Sequence, residues 1–166
     1  QEAMARTVAA GVHVREGAEL LQITSRAVAS LGMDPASPWL AETLFRTQMA
    51  MAYEAGRWTV NQSPPIDEII WGYEYVAIPD DRVRPTHLAL HQTRYAKDDP
   101  RLGEIWPPLG FNCRCSMIEI FTLDDARLQQ PKPPPATILV DGEPVPVIPD
   151  PGFAFHPADI AQGVAG

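Results

Sequence analysis

The chain has 166 residues, 45% of them hydrophobic and 20% charged, an ordinary globular composition with enough material for one sizeable core. Its formal net charge is −8, from 13 Lys+Arg against 21 Asp+Glu, which excludes a surface that grips nucleic acid over its whole extent, since phosphate binding needs clustered positive charge. No run of 18 apolar residues is present, so no membrane contact through a spanning helix is expected.

No charged segment followed by an apolar one marks a signal peptide, and a start at Gln1 rather than Met implies sequence upstream. Two cysteines are too few for a secreted disulfide scaffold, so synthesis in a cytoplasm is the expectation. The 18 prolines are roughly twice average usage. Nine of them fall between Pro131 and Pro157, which assigns the excess to one end.

Residues 1–33 pattern as an amphipathic helix, with Leu20, Leu21, Ile23, Val28 and Leu31 on one face at three- and four-residue steps. Asp34-Pro35 breaks it, and Ser37-Pro38 restarts a helix predicted from Pro38 to about Asn61. Leu40, Leu44, Met51 and Ala55 form its expected core stripe, widened by Phe45, Met49 and Ala52. Ser63-Pro64-Pro65 ends it, and the β-branched and aromatic run from Ile69 to Ile78 predicts a strand. A turn at Pro79-Asp80-Asp81 leads to a short helix from Pro85 to His91.

From Thr93 to Asn112 the chain is turn-rich, through Asp98-Asp99-Pro100, Gly103, Pro107-Pro108 and Gly110. A loop of that length inside a compact domain is usually functional or mobile. Arg114 to Phe121 alternates as a second strand, and Thr122 to Leu128 opens like a capped helix with acidic residues in its first turn. Gln130 to Pro135 reads as a semi-rigid linker. Thr137 to Val140, Asp141-Gly142 and Pro144 to Ile148 read as a hairpin with an Asp-Gly turn. Residues 149–166 read as an arm ordered against a partner or against its own domain.

The expected architecture is therefore α+β. N-terminal helices pack on a small, mostly antiparallel sheet, with a long irregular Pro/Gly-rich loop and an extended C-terminal arm. The segments are 1–37, an N-terminal helical segment; 38–129, the core domain; and 130–166, a Pro-rich linker, small hairpin and arm.

Three clusters carry residues capable of chemistry. His87 and His91 share a helix face, and Cys113 and Cys115 share a strand face, so the four make a chemically sound tetrahedral zinc set. The bland alternative is a pair of buried reduced thiols. A Cys113–Cys115 disulfide would be strained, because same-face strand neighbours lie near the upper limit of Cα separation. Cys113 or Cys115 as nucleophile, His87 as base and Asp80 or Asn112 as orienting group is a further option, although no cysteine-protease signature accompanies them.

Arg82, Arg84 and Arg114, or a patch of Arg82, Arg84 and Arg94, offer forks for phosphate and a place for DNA contact. Pairing with Asp80, Asp81, Asp98 or Asp99 is favoured instead, given the acidic surroundings. On this reading Asp80, Arg82, Arg84, His87, Asn112 and Arg114 are anchors of a structural loop. The third cluster, Arg46, Gln48 and Glu54, reads as a polar stripe opposite the apolar one.

These residues resemble the Mu F-like phage head morphogenesis family. Its conserved region begins with Arg-Thr-Glu on a helix, passes Asp-x-Arg-x-Arg-x-x-His after a strand, and closes on Pro-Pro and Asn-Cys-Arg-Cys. Arg46-Thr47-Gln48, Ala55-Gly56-Arg57, Asp80 to His87 and Pro107 to Cys115 match it, and Pro149 to Pro157 resembles the family's usual ending. Two positions depart from it. Gln48 stands in place of Glu, and Gln92 stands where Gly often follows the His-containing helix, which implies a differently built turn because positive φ costs Gln more than Gly.

The resemblance implies a minor head protein without enzymatic activity, acting in capsid assembly and in DNA packaging or ejection. It would be made in the host cytoplasm and incorporated into the virion head, with portal or capsid proteins as partners. It implies no cofactor, and zinc remains an option from the residues alone. The alternative function is a small zinc- or cysteine-dependent hydrolase using His87, His91, Cys113 and Cys115.

Overall fold

The computed structural model describes residues 38–161 and, before them, helical positions at Gln22, Arg26 and Ala29. Those three positions aside, the expected N-terminal helical segment 1–37 and its apolar stripe lie outside the described residues, as do residues 162–166.

Helix α1 runs over Pro38–Asn61, the span that Ser37-Pro38 and Ser63-Pro64-Pro65 delimit in the sequence. Its buried face differs from the expected one. Thr43, Thr47, Glu54 and Asn61 are buried together with Ala41 and Ala55, whereas Leu40, Leu44 and Met51 are half-buried. Seven-residue steps from Thr47 to Glu54 to Asn61 keep these polar groups on one side of the helix. They are buried because the rest of the domain supplies their hydrogen-bond partners, the condition under which polar burial is tolerated.

After the short helix α2 (Ile66–Ile69), strand β1 (Ile70–Val76) forms the centre of a three-stranded antiparallel sheet. It is flanked by β2 (Arg94–Ala96) and β3 (Ser116–Phe121), in the order β2-β1-β3. Tyr73 pairs across to Tyr95 and to Glu119, and Tyr75 to Met117. Gly72 makes the β2 pairing fit, since a Cβ there would run into the Tyr95 carbonyl. Helix α3 (Pro85–Ala89) lies between β1 and β2 in sequence, with Pro85 in its first turn.

The segment read as a turn-rich loop contains β2 and a helical turn, α4 (Leu102–Ile105), and it contributes to the core. Trp106 and Leu109 are fully buried beside Tyr73, Tyr75, Leu90, Tyr95 and Met117. The segment is thus held by large apolar side chains as well as by polar anchors. Trp58 of α1 closes the cluster, with its ring 4.8 Å from Trp106 and 5.8 Å from Tyr73.

Residues 122–128 form turns and not the expected helix. Asp124 accepts the Phe121 N–H at 2.7 Å and Asp125 accepts the Arg127 N–H at 2.9 Å. Gln129 Nε2 donates to the carbonyls of Thr122 and Asp124. Such local side-chain bonds compete with helix formation, and the acidic pair read as a cap takes that route.

The hairpin forms as expected from β4 (Thr137–Val140) and β5 (Glu143–Pro146). Asp141 at φ 52 and Gly142 at φ 89 give the two left-handed positions of a two-residue turn. The following arm is ordered against its own domain. Asp150 N–H bonds the Leu109 carbonyl at 2.9 Å, and Phe153, His156 and Ala158 are buried. It ends in α5 (Pro157–Ala161), which packs on α1. No helix among the described residues is long and apolar enough to cross a membrane.

Candidate functional site

The site is built where α3, the segment after α4 and the C-terminal arm meet. Pro85 fixes the start of α3, and the helix carries His87 inward until its side chain is 2% exposed. Opposite it, the chain from Leu109 folds into a tight turn, with Asn112 at φ 56 and the Cys113 N–H bonded to the Gly110 carbonyl at 3.2 Å. Asparagine tolerates this left-handed backbone better than most residues. Helix α1 holds the turn: the Asn112 N–H donates to Thr47 Oγ1 and its amide Nδ2 to Thr43 Oγ1, both at 3.3 Å.

That turn delivers two sulfurs to one imidazole nitrogen. Cys113 Sγ lies 3.6 Å and Cys115 Sγ 3.9 Å from His87 Nδ1, and the three atoms all lie within 4.8 Å of one another. Both cysteines are free and half-buried. A hydrogen bond from Cys115, assisted by His87, holds the Cys113 thiol well below the ordinary cysteine range, while the same contact and burial push Cys115 up. The pair therefore carries one negative charge between two sulfurs. Burial, and then the sulfurs of Cys115 and Cys113, raise the neighbouring Tyr75 phenol.

On its far side, His87 Nε2 is buried without a hydrogen-bond partner and faces Asp150 Oδ1 at 3.9 Å. Asp150 in turn meets Arg84 Nε at 3.2 Å, and Arg84 Nη2 donates to the Phe111 carbonyl at 3.0 Å. Gly110 allows this approach, because a Cβ on it would collide with the Asp150 carboxylate. Sequence reasoning missed Asp150, which no spacing rule connects to His87.

The other expected site residues divide. Arg114 grips Asp80 through both forks, at 2.8 and 2.5 Å, and that contact holds the Asp80 carboxyl down to about 2. Arg82 is exposed and meets Asp80 at 3.8 Å. Arg94 sits 3.4 Å from Glu74, and Asp99 pairs with Arg101. His91 lies outside the sulfur cluster, its Nδ1 accepting the Ala77 N–H at 3.3 Å.

Glu54 departs furthest from expectation, since it is buried rather than part of a solvated stripe. It accepts from Ser116 Oγ at 2.6 Å and from the Trp106 indole at 3.2 Å, with Arg57 at 3.4 Å. Arg57 continues to Glu119 at 2.5 Å, and Asn61 donates to the same carboxylate at 2.7 Å. This network clamps α1 to β3 directly after Cys115. Arg46 pairs along its own helix with Glu42.

Chemically, the cluster offers two soft sulfurs and one imidazole nitrogen, the donor set that borderline cations favour. It also has the order thiol, imidazole, carboxylate that nucleophilic sites use. A cavity of about 10 Å³ touches His87, Cys113 and Cys115, room for about one water. Beside it runs an open groove of about 530 Å³ lined by Trp39, Arg46, Arg82 and Phe111, among others.

The family model described as phage Mu protein F like protein matches residues 1–118. The Mu-like prophage FluMu F protein of Haemophilus influenzae is 38% identical over 79 residues, 48% of this chain and 19% of that protein. The putative capsid assembly protein F of Escherichia phage Mu is 33% identical over 94 residues, 57% of this chain and 20% of that protein. The matched part thus spans about a fifth of these relatives' length. No solved structure matches the chain.

Proposed function

The chain belongs to the phage Mu protein F like family, and from that premise we propose that it acts in assembly of a phage head through protein–protein contacts. The observation that carries this reading is the match over residues 1–118 together with a relative named for capsid assembly. On this proposal the protein is made in the host cytoplasm, joins the virion head in contact with portal or capsid proteins, and performs no catalytic turnover. A role in DNA packaging or ejection is the finer part of the proposal.

The surface is compatible with a docking protein. Trp39 and Phe111 stand exposed on the rim of the groove with Arg46 and Arg82 between them, and aromatic residues with arginine are the types that dominate interface energetics. Arg84 and Arg114 both end on carboxylates, which leaves little free positive charge here for a phosphate backbone.

The test is sedimentation of the epitope-marked chain from infected or induced cells. Co-sedimentation with portal-containing heads is expected, and a chain that stays a free monomer throughout head assembly would overturn the reading. Retention on DNA at low salt that falls steeply with added salt would move the proposal toward a packaging contact.

A further inference from the structure

We propose that His87 Nδ1, Cys113 Sγ and Cys115 Sγ together bind a zinc-class divalent cation, with Asp150 orienting His87 from the C-terminal arm. The inference is independent of the assembly role, so either can fail alone.

Distances come first. Zinc with S and N bonds of about 2.3 and 2.0–2.1 Å in tetrahedral geometry has N···S edges of about 3.5–3.6 Å. The two edges here are 3.6 and 3.9 Å. A thiol nucleophile needs one sulfur against its base, and a buried hydrogen bond likewise needs one. Two sulfurs converging on a single nitrogen is the arrangement of ligands around a shared centre.

Charge points the same way. Two thiols crowded together share one negative charge, with one driven down and the other up. A dication stabilises both as thiolates and removes that conflict. The cavity of about 10 Å³ against His87, Cys113 and Cys115 supplies the room.

The imidazole's far side completes the case. A histidine that ligates through Nδ1 carries its proton on Nε2, and metal-binding histidines usually give that proton to a carboxylate or carbonyl. His87 Nε2 is buried, lacks a partner and faces the Asp150 carboxylate at 3.9 Å. Asp150 is itself fixed by Arg84 and by its backbone bond to Leu109. His91 is excluded from the ligand set by its engagement with the Ala77 N–H, so the fourth position falls to water.

The experiment uses the full 166-residue chain, reduced and stripped with a chelator, its fold checked by circular dichroism and titrated with Co²⁺. One ion per chain is expected, with sulfur-to-cobalt charge-transfer absorption and tetrahedral ligand-field bands that Zn²⁺ displaces. Both thiols should react with an aromatic disulfide reagent in the stripped chain and be protected once Zn²⁺ is added. This wild-type measurement holds even if Cys113→Ser or Cys115→Ser fails to fold. His91→Ala should keep the stoichiometry and spectrum, and Asp150→Asn should weaken binding by about 10–100-fold with the spectrum retained. A folded stripped chain that gives no charge-transfer band and no thiol protection overturns the site. Loss of binding in His91→Ala overturns the three-ligand assignment.

Discussion

Asp150 Oδ1 lies 3.9 Å from His87 Nε2, and the two residues approach through a gap that Gly110 leaves by having no Cβ. The relationship joins three stretches distant in sequence. His87 comes from α3, Gly110 from the turn before the cysteines, and Asp150 from the arm after the hairpin. Arg84 ties them together by meeting Asp150 at 3.2 Å and the Phe111 carbonyl at 3.0 Å.

Gly110→Ala is therefore expected to destabilise the protein by about 1–3 kcal/mol, the usual cost of overpacking a closed contact. The added methyl must push the Asp150 carboxylate away from Arg84. Asp150→Ala removes the obstacle, so the double variant should cost less than the sum of the two single ones. Urea denaturation of the four proteins measures the coupling, and strict additivity would show that Gly110 and Asp150 do not press on each other.

Glu54 gives the largest expected loss. Glu54→Ala leaves the Trp106 indole N–H buried without an acceptor and deprives Arg57 and Ser116 of a partner. The cost should be on the order of 3 kcal/mol at neutral pH, as for other broken buried polar networks. Ser116→Ala, which removes one bond of the same network, should cost about 1 kcal/mol. Equal and small effects in chemical denaturation at pH 7 would mean that water replaces the network at little cost.

Much of this was legible in the sequence, for identifiable reasons. Prolines and Ser63 bracket α1, β-branched and aromatic residues mark β1, and Asp141-Gly142 marks the hairpin, because each signal is local. The buried face of α1 was not legible. Periodicity ranks residues by apolarity, and here Thr43, Thr47, Glu54 and Asn61 are buried because Asn112, Trp106, Ser116 and Glu119 come to meet them. The pairing of His87 with Cys113 and Cys115 could be guessed from residue types, whereas its partner Asp150 could not. That contact depends on how the arm returns across Leu109, a tertiary event without a local signature.

Gln92 offers a test of local strain. The sequence implied a turn built differently because Gln stands there, yet Gln92 itself adopts φ 60, the backbone region that glycine favours. Left-handed backbone costs a side-chain-bearing residue about 1–2 kcal/mol, and glycine returns about 0.5–1 kcal/mol of that as unfolded-state entropy. Gln92→Gly should consequently raise stability by up to about 1 kcal/mol while keeping the N–H bond to the Tyr75 carbonyl. A rise in melting temperature checks it, and a fall would show that the Gln92 side chain contributes more than its backbone costs.

His156 should make the stability of the C-terminal arm depend on acid. Its ring packs 4.5 Å from Trp58 and 4.9 Å from Trp106, its Nδ1 accepts the Ala158 N–H at 3.1 Å, and its Nε2 is buried without a partner. Burial holds the imidazole down to about 4, with Asp159 pulling weakly the other way. The unfolded chain takes up a proton below about 6.5 and the folded one only near 4, so the contribution is complete above pH 6.5. It declines as the pH falls from there to about 4, by up to about 3 kcal/mol at 1.36 kcal/mol per pH unit. Glu54 runs opposite, because burial raises its carboxyl and its contribution shrinks as the pH rises, so it offsets part of the slope. His156→Phe keeps an aromatic ring between the two tryptophans and should remove most of the decline between pH 6.5 and 4. At pH 7 it should cost about 1 kcal/mol for the lost bond to Ala158. Urea midpoints measured from pH 7.5 to 4.5 on both proteins decide it, and parallel curves would place the acid sensitivity elsewhere.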